Sequence, residues 1–246
     1  MSEQTFDTPR PVRVELKLAG GDVKITTVDG SESTVVLDGP EKLIETMRVE
    51  LVGDRLMILE QRKGFTMRFG SFGDSVEVRV QVPQSSSVDV ATASSDVRLE
   101  GQFASLSMKS ASGDLRATGQ IAGNASFNTA SGSAQLARVG GKLNAKTVSG
   151  DVSAEVVERS VSGKSVSGDF TIGLVREGKV DVHSVSGNVV IGIASGTNID
   201  VDAGSVSGDL NSEIPLGDDA HVPAGGPALA IRVQTVSGDV LVRRAA

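Results

Sequence analysis

The chain contains no cysteine, no tryptophan and no tyrosine, and its aromatic fraction is only 3%. Without cysteine there are no disulfides, no thiolate ligands for zinc and no thiol nucleophile. So few aromatics argue against a small-molecule pocket, which draws its lining from apolar and aromatic side chains. They also remove the platforms on which carbohydrate-cleaving β-helices seat sugars. Two histidines are present, His183 and His221, and each reads as an isolated surface side chain. The basic excess that a phosphate backbone requires is missing: 24 Lys and Arg stand among 31 Asp and Glu, for a net charge of −7. No nucleic-acid partner is therefore expected. No apolar run approaches the roughly 20 residues that span a bilayer. The start, Met1 to Asp7, has neither the basic nor the apolar region of a signal peptide. The expectation is a protein that does not insert into membranes and works in the cytoplasm.

What the chain has instead is a repeat. Ala111-Ser112-Gly113-Asp114, Ala130-Ser131-Gly132-Ser133, Val148-Ser149-Gly150-Asp151, Val166-Ser167-Gly168-Asp169, Val185-Ser186-Gly187-Asn188, Val206-Ser207-Gly208-Asp209 and Val236-Ser237-Gly238-Asp239 follow a worn copy, Ala93-Ser94-Ser95-Asp96. From Ser95 to Gly208 the steps are 18, 19, 18, 18, 19 and 21 residues, and the last, to Gly238, is 30. A fixed period of this size marks stacked units, none of which buries a core alone.

Around each corner the pattern alternates. Leu143 and Ala145 are followed at the same parity by Thr147, and after the corner Val152, Ala154 and Val156 take one side while Ser153 and Glu155 take the other. Period-two alternation bounded by glycine turns predicts half-buried strands. Each coil is then about two strands and two turns, and successive coils pair in parallel, roughly 4.8 Å apart. A flat two-strand coil and a three-sided one both fit the period. The fold class is all-β: a β-solenoid of ~18–20-residue coils with a less regular β-rich cap. Residues 1–84 read as the cap region, continuous with a repeat solenoid over 85–246 that carries an inserted loop at 215–227.

Within the cap, Val14, Leu16 and Leu18 lead through Gly21-Asp22 to Val23 and Ile25, which reads as the first, capping coil. Val49 and Leu51 before Gly53-Asp54, then Leu56 and Ile58, read as a second echo of the coil. Glu41 to Thr46 reads as a short helix or an irregular loop. Gln61 to Asp74, with Phe65, Phe69 and Phe72 among glycines, reads as a loop, and Ser75 to Val82 as a strand.

Parity predicts two columns at the corner. Thr92, Ser110, Thr129, Thr147, Ser165, Ser184, Ser205 and Thr235 point inward, where small hydroxyl residues fill the narrow end and bond backbone or each other. Ala93, Ala111, Ala130, Val148, Val166, Val185, Val206 and Val236 point outward as an apolar stripe, the candidate interaction surface. Val and Ala also simply suit a β surface. The aspartates after each glycine read as turn formers, since one per coil falls short of the six to eight oxygens that calcium takes. No serine nucleophile elbow and no phosphate loop is present. No catalytic, metal-binding or cofactor-binding residue is assigned, and no small-molecule ligand is expected.

The opening Phe6-Asp7-Thr8-Pro9, the run Gly21-Asp22-Val23-Lys24-Ile25, and the Ser-Gly-Asp-Val coils ending in Val240-Leu241-Val242-Arg243-Arg244 resemble the bacterial β-strand-repeat family labelled "putative adhesin", a domain of unknown function. The likeness covers nearly the whole chain. It implies a β-solenoid of bacterial origin and supplies no active site. Some members resemble parts of cell-envelope stress systems and carry membrane segments. The leading expectation is a non-enzymatic scaffold for a protein partner or for self-association. The alternatives are a surface or envelope-stress adhesin and a carbohydrate-active β-helix enzyme.

Overall fold

A computed structural model of the chain describes residues 1–61, 75–213 and 227–245. The loop expected at Pro215 to Pro227 and the stretch Gln61 to Asp74 lie, apart from Gln61 and Pro227, outside the described residues, as does His221.

Each coil contributes one strand to each of two stacks. In one stack Gln102–Ser112, Ala125–Ser131, Leu143–Lys146, Val161–Lys164 and Gly178–His183 pair in parallel and in register. In the other, Leu115–Ile121, Ala134–Val139, Val152–Val157, Phe170–Val175 and Val189–Ile193 also pair in parallel, with register shifts after Leu136 and Ile172 and with Val157, not Val156, turned inward. The flat two-strand coil is thus the one the chain adopts. The long strands Arg13–Val28 and Ser86–Glu100 run through the corner and serve both stacks. Alternate residues are buried between the stacks: Leu143 and Ala145, Val161, Val180 and Val182 on one side; Val152, Ala154, Phe170, Ile172, Val189 and Ile191 on the other. Each fully buried Val, Leu or Ile contributes about 1.5–3 kcal/mol, and the columns give every coil several such residues.

Both ends depart from the sequence reading. The coil at Arg13–Val28 is not terminal: Arg55–Glu60 pairs with its first half and Glu77–Pro83 with its second, both in parallel. Val49 and Leu51 do not form an echo of a coil. Met47–Val52 and Arg55–Glu60 are an antiparallel hairpin, with Val49 opposite Ile58. Ser2–Asp7 and Glu32–Asp38 close the other stack, again antiparallel. Antiparallel strands thus end both stacks at this end of the solenoid. Glu41–Ile44 is a short helix.

At the far end the stacking order differs from the chain order. Ala228–Ser237 pairs with Gly178–His183 on one side and with Asn198–Ser207 on the other. Val240–Arg244 likewise lies between Val189–Ile193 and Leu210–Ser212. The last coil therefore inserts one rung inward. Leu229, Ile231, Val233, Val240 and Val242 are buried there, a face that needs neighbours above and below. The displaced coil is thinner: Ile199, Val201 and Ala203 are only partly buried, and Asp200 and Asp202 face outward. A polar coil with a short second strand suits the end of the stack.

Candidate functional site

The corner at which each coil crosses from one stack to the other builds five columns. Thr147, Ser165, Ser184 and Thr235 turn inward and are buried. The next residues turn outward: Val148 is 53% exposed, Val166 48%, Val185 48%, Val236 50% and Val206 82%. Ala93, Ala111 and Ala130 continue this column and are also exposed. The serines follow, bridged rung to rung from Ser131 through Ser149, Ser167 and Ser186 to Ser237. Backbone bonds fix the spacing: the Ser167 N–H donates to the Val148 carbonyl at 2.8 Å and the Ser186 N–H to the Val166 carbonyl at 2.8 Å. The valines are therefore held on a rigid edge.

The glycines are required twice over. Gly150 has φ +133, and a Cβ there would lie 2.1 Å from the Gly132 carbonyl oxygen. The same approach recurs at Gly168, Gly187 and Gly238, so a side chain at any of these positions would collide with the rung below.

The acidic column bonds between rungs. Asp114 Oδ1 accepts the Ser133 N–H at 2.7 Å, Asp151 Oδ1 accepts the Asp169 N–H at 2.8 Å, and Asp169 Oδ1 accepts the Asn188 N–H at 2.8 Å. Asn188 and Ser133 carry the ladder equally: Asn188 Oδ1 accepts from Asp239 and Ser133 Oγ from Asp151. Among the described residues no group of three or more His, Cys, Asp or Glu is placed to hold a metal.

The hydroxyl column differs from expectation. Thr92 Oγ1 donates to Ser95 Oγ and Thr129 Oγ1 to the Ser131 carbonyl, but the hydroxyls of Thr147, Ser165, Ser184 and Thr235 have no hydrogen-bond partner in the protein. Rungs roughly 4.8 Å apart hold adjacent hydroxyls beyond hydrogen-bonding distance.

Two residues before the outward column stands a further one that the sequence reading missed. Lys109 pairs in register with Asn128, Asn128 with Lys146, Lys146 with Lys164 and Lys164 with His183. The three lysines are exposed and join no ion pair among the described residues. The hexapeptide Lys-x-Ala/Val-Ser-Gly-Asp, repeated at Lys109, Lys146 and Lys164, was the available signal. His183 Nε2 lies 3.0 Å from Asp181 Oδ1, and Lys179 Nζ lies 2.6 Å from Asp181 Oδ2. The Lys179 hydrogen bond, with smaller help from His183, holds the Asp181 carboxyl below the ordinary aspartate range against the effect of burial.

The fold and corner define a two-stack β-solenoid with an exposed, regularly laddered edge. The chain belongs to the family described as Toastrack DUF4097, which it matches over residues 12–243. Its structure is similar to that of a "putative adhesin" from Bacteroides fragilis, at TM-score 0.57 and 14% identity, covering 98% of this chain and 97% of that one. It is likewise similar to a "putative lipid binding protein" from Parabacteroides distasonis, at TM-score 0.59 and 14% identity, covering 98% and 96%. These likenesses show the fold. No curated protein matches the sequence. Among the described residues no helix is long and apolar enough to cross a membrane.

Proposed function

We propose that this protein is a non-enzymatic interaction scaffold whose working surface is the corner ridge bearing Ala111, Ala130, Val148, Val166, Val185, Val236 and Val206. One observation carries this reading: valines fixed in register by backbone bonds keep about half or more of their surface in water, from 48% at Val166 to 82% at Val206. Apolar surface gathered into one continuous column is a contact surface in waiting.

The test is amine cross-linking in the native cell, comparing wild type with Val166→Lys/Val185→Lys. Higher-mass species are expected for wild type and not for the variant, with unchanged circular dichroism. Identical cross-linking patterns would overturn the reading. A surface adhesin would use the same ridge, as the description of the Bacteroides fragilis protein applies to that protein. Fractionation decides between the two, because an adhesin must be found outside the cytosol.

A further inference from the structure

The geometry points to a second copy of this chain as the occupant of the ridge, docked edge to edge in parallel about a two-fold axis that runs along the stacking direction. This rests on the ridge being the working surface.

The charges beside the apolar column are matched over five consecutive rungs, from Lys109 to His183. Lys109, Lys146 and Lys164 precede it, and Asp114, Asp151 and Asp169 follow it on the other shoulder. Where Asn128 replaces the lysine, Ser133 replaces the aspartate. Where His183 replaces it, Asn188 does. Over these rungs the ridge thus has a basic flank, an apolar crest and an acidic flank, and the signs of the two flanks rise and fall together. In the three outer rungs, Ala91, Gln234 and Gly204 are neutral while Asp96, Asp239 and Asp209 keep the acid.

An occupant of one sign does not fit this surface. An anionic membrane or an acidic peptide attracted to the lysines would meet the aspartate column on the opposite shoulder. A cationic partner would meet the lysines. A second ridge related by a two-fold axis along the stack sets crest on crest and exchanges the flanks. Lys146 then faces Asp151 of the other copy and Asp151 faces its Lys146, as an isologous contact requires. Every rung meets its own counterpart, so rung-wise matching of the flanks is what this arrangement needs. An antiparallel two-fold would instead set lysine against lysine. Docking also relieves a cost in the single chain, where Lys146 stacks on Lys164 and Asp151 on Asp169, like charges on neighbouring strands.

Eight rungs give a contact roughly 34 Å long on an edge about 10 Å thick before side chains. This is less than the ~800 Å² per partner of a standard interface, so the dimer is a weak one.

The absence of cysteine makes the test direct. Single-cysteine variants Val148→Cys and Val236→Cys are treated with a short bismaleimide, alone and mixed, while wild type is followed by sedimentation from micromolar to millimolar protein. The two positions are three rungs apart, roughly 14 Å. The expected result is a concentration-dependent dimer, with each cysteine variant cross-linking to itself and the mixture giving no preferential hetero-pair. Lys146→Glu/Lys164→Glu, at exposed sites, weakens the dimer about tenfold at low salt by setting acid against acid. A Val236→Cys variant that does not cross-link to itself while wild type dimerises overturns the parallel arrangement, because an antiparallel two-fold sets Val236 opposite Ala111 of the other copy. A wild type monomeric throughout, or a Lys→Glu variant that dimerises undiminished, overturns the second-copy assignment. If in-cell complexes are still lost on Val166→Lys/Val185→Lys, the ridge itself stands and only its occupant is wrong.

Discussion

Gly163 and Phe170 meet across the core: a Cβ on Gly163 would lie 2.7 Å from two ring carbons of Phe170. Gly163 occupies the inward position that Ala145 fills one rung below and Val182 one rung above. Phe170 is 1% exposed, so its ring is enclosed within the core. The two stacks accommodate one large side chain by removing the one opposite it.

Gly163→Val is expected to destabilise the protein by about 1–3 kcal/mol through overpacking, read as a lower urea midpoint. Adding Phe170→Leu returns part of the loss. A purely additive pair of substitutions would show that the two residues do not compete for this space.

Two glycines, Gly196 in the turn before Asn198–Ser207 and Gly150 at a corner, separate backbone strain from collision. Gly196 has φ +78 with nothing within 4 Å of its would-be Cβ, whereas Gly150 has φ +133 and a carbonyl oxygen at 2.1 Å. Gly196→Ala is expected to cost about 1–2 kcal/mol for the left-handed backbone. Gly150→Ala costs clearly more, because the rung below must also move. Thermal melts of the two variants side by side measure the difference, and equal losses would remove close approach as the reason for the glycine column.

Replacing a buried hydroxyl has opposite signs at two rungs of one column. Thr147 Oγ1 is buried without a partner, and Thr129 Oγ1 donates to the Ser131 carbonyl at 3.1 Å. Thr147→Val is expected to be neutral or to stabilise by up to ~1 kcal/mol, and Thr129→Val to cost about 0.5–1.5 kcal/mol. Denaturant unfolding of both variants checks the contrast.

Asp181 gives a pH signature. Its carboxyl is held below the ordinary value of 3.8, chiefly by the Lys179 hydrogen bond. A depressed folded-state value means that the contribution to stability is complete above the ordinary value and is lost as pH falls through the folded-state one. The melting temperature of wild type should exceed that of Asp181→Asn by a small margin near neutral pH. The margin should shrink in strong acid and in high salt, since these groups are partly exposed and screened. A margin that grows on acidification would contradict the assignment.

How much of this was legible depends on range. Alternation of Val152, Ala154 and their neighbours and the recurring Gly corner announce strands and turns, because each is decided within a few residues. The Asp column was legible as turn chemistry, but its bonds run to the next rung, as from Asp169 to Asn188, and only stacking reveals that. The two long steps in the repeat were visible as irregularities. That the coil with Ile231 and Val233 would enter ahead of the coil with Asp200 and Asp202 was not.

Strand parity and turn conformation are local properties of the chain, so the residues alone specify a β-solenoid with glycine corners, a buried hydroxyl column and an outward Val/Ala column. Three features belong to the assembled molecule: the antiparallel closure of the first end, the inverted order of the last two coils, and the alignment of Lys146 and Lys164 beside the valines. They depend on which coil best buries its apolar face against a particular neighbour, a competition between segments far apart in the chain that no local pattern records.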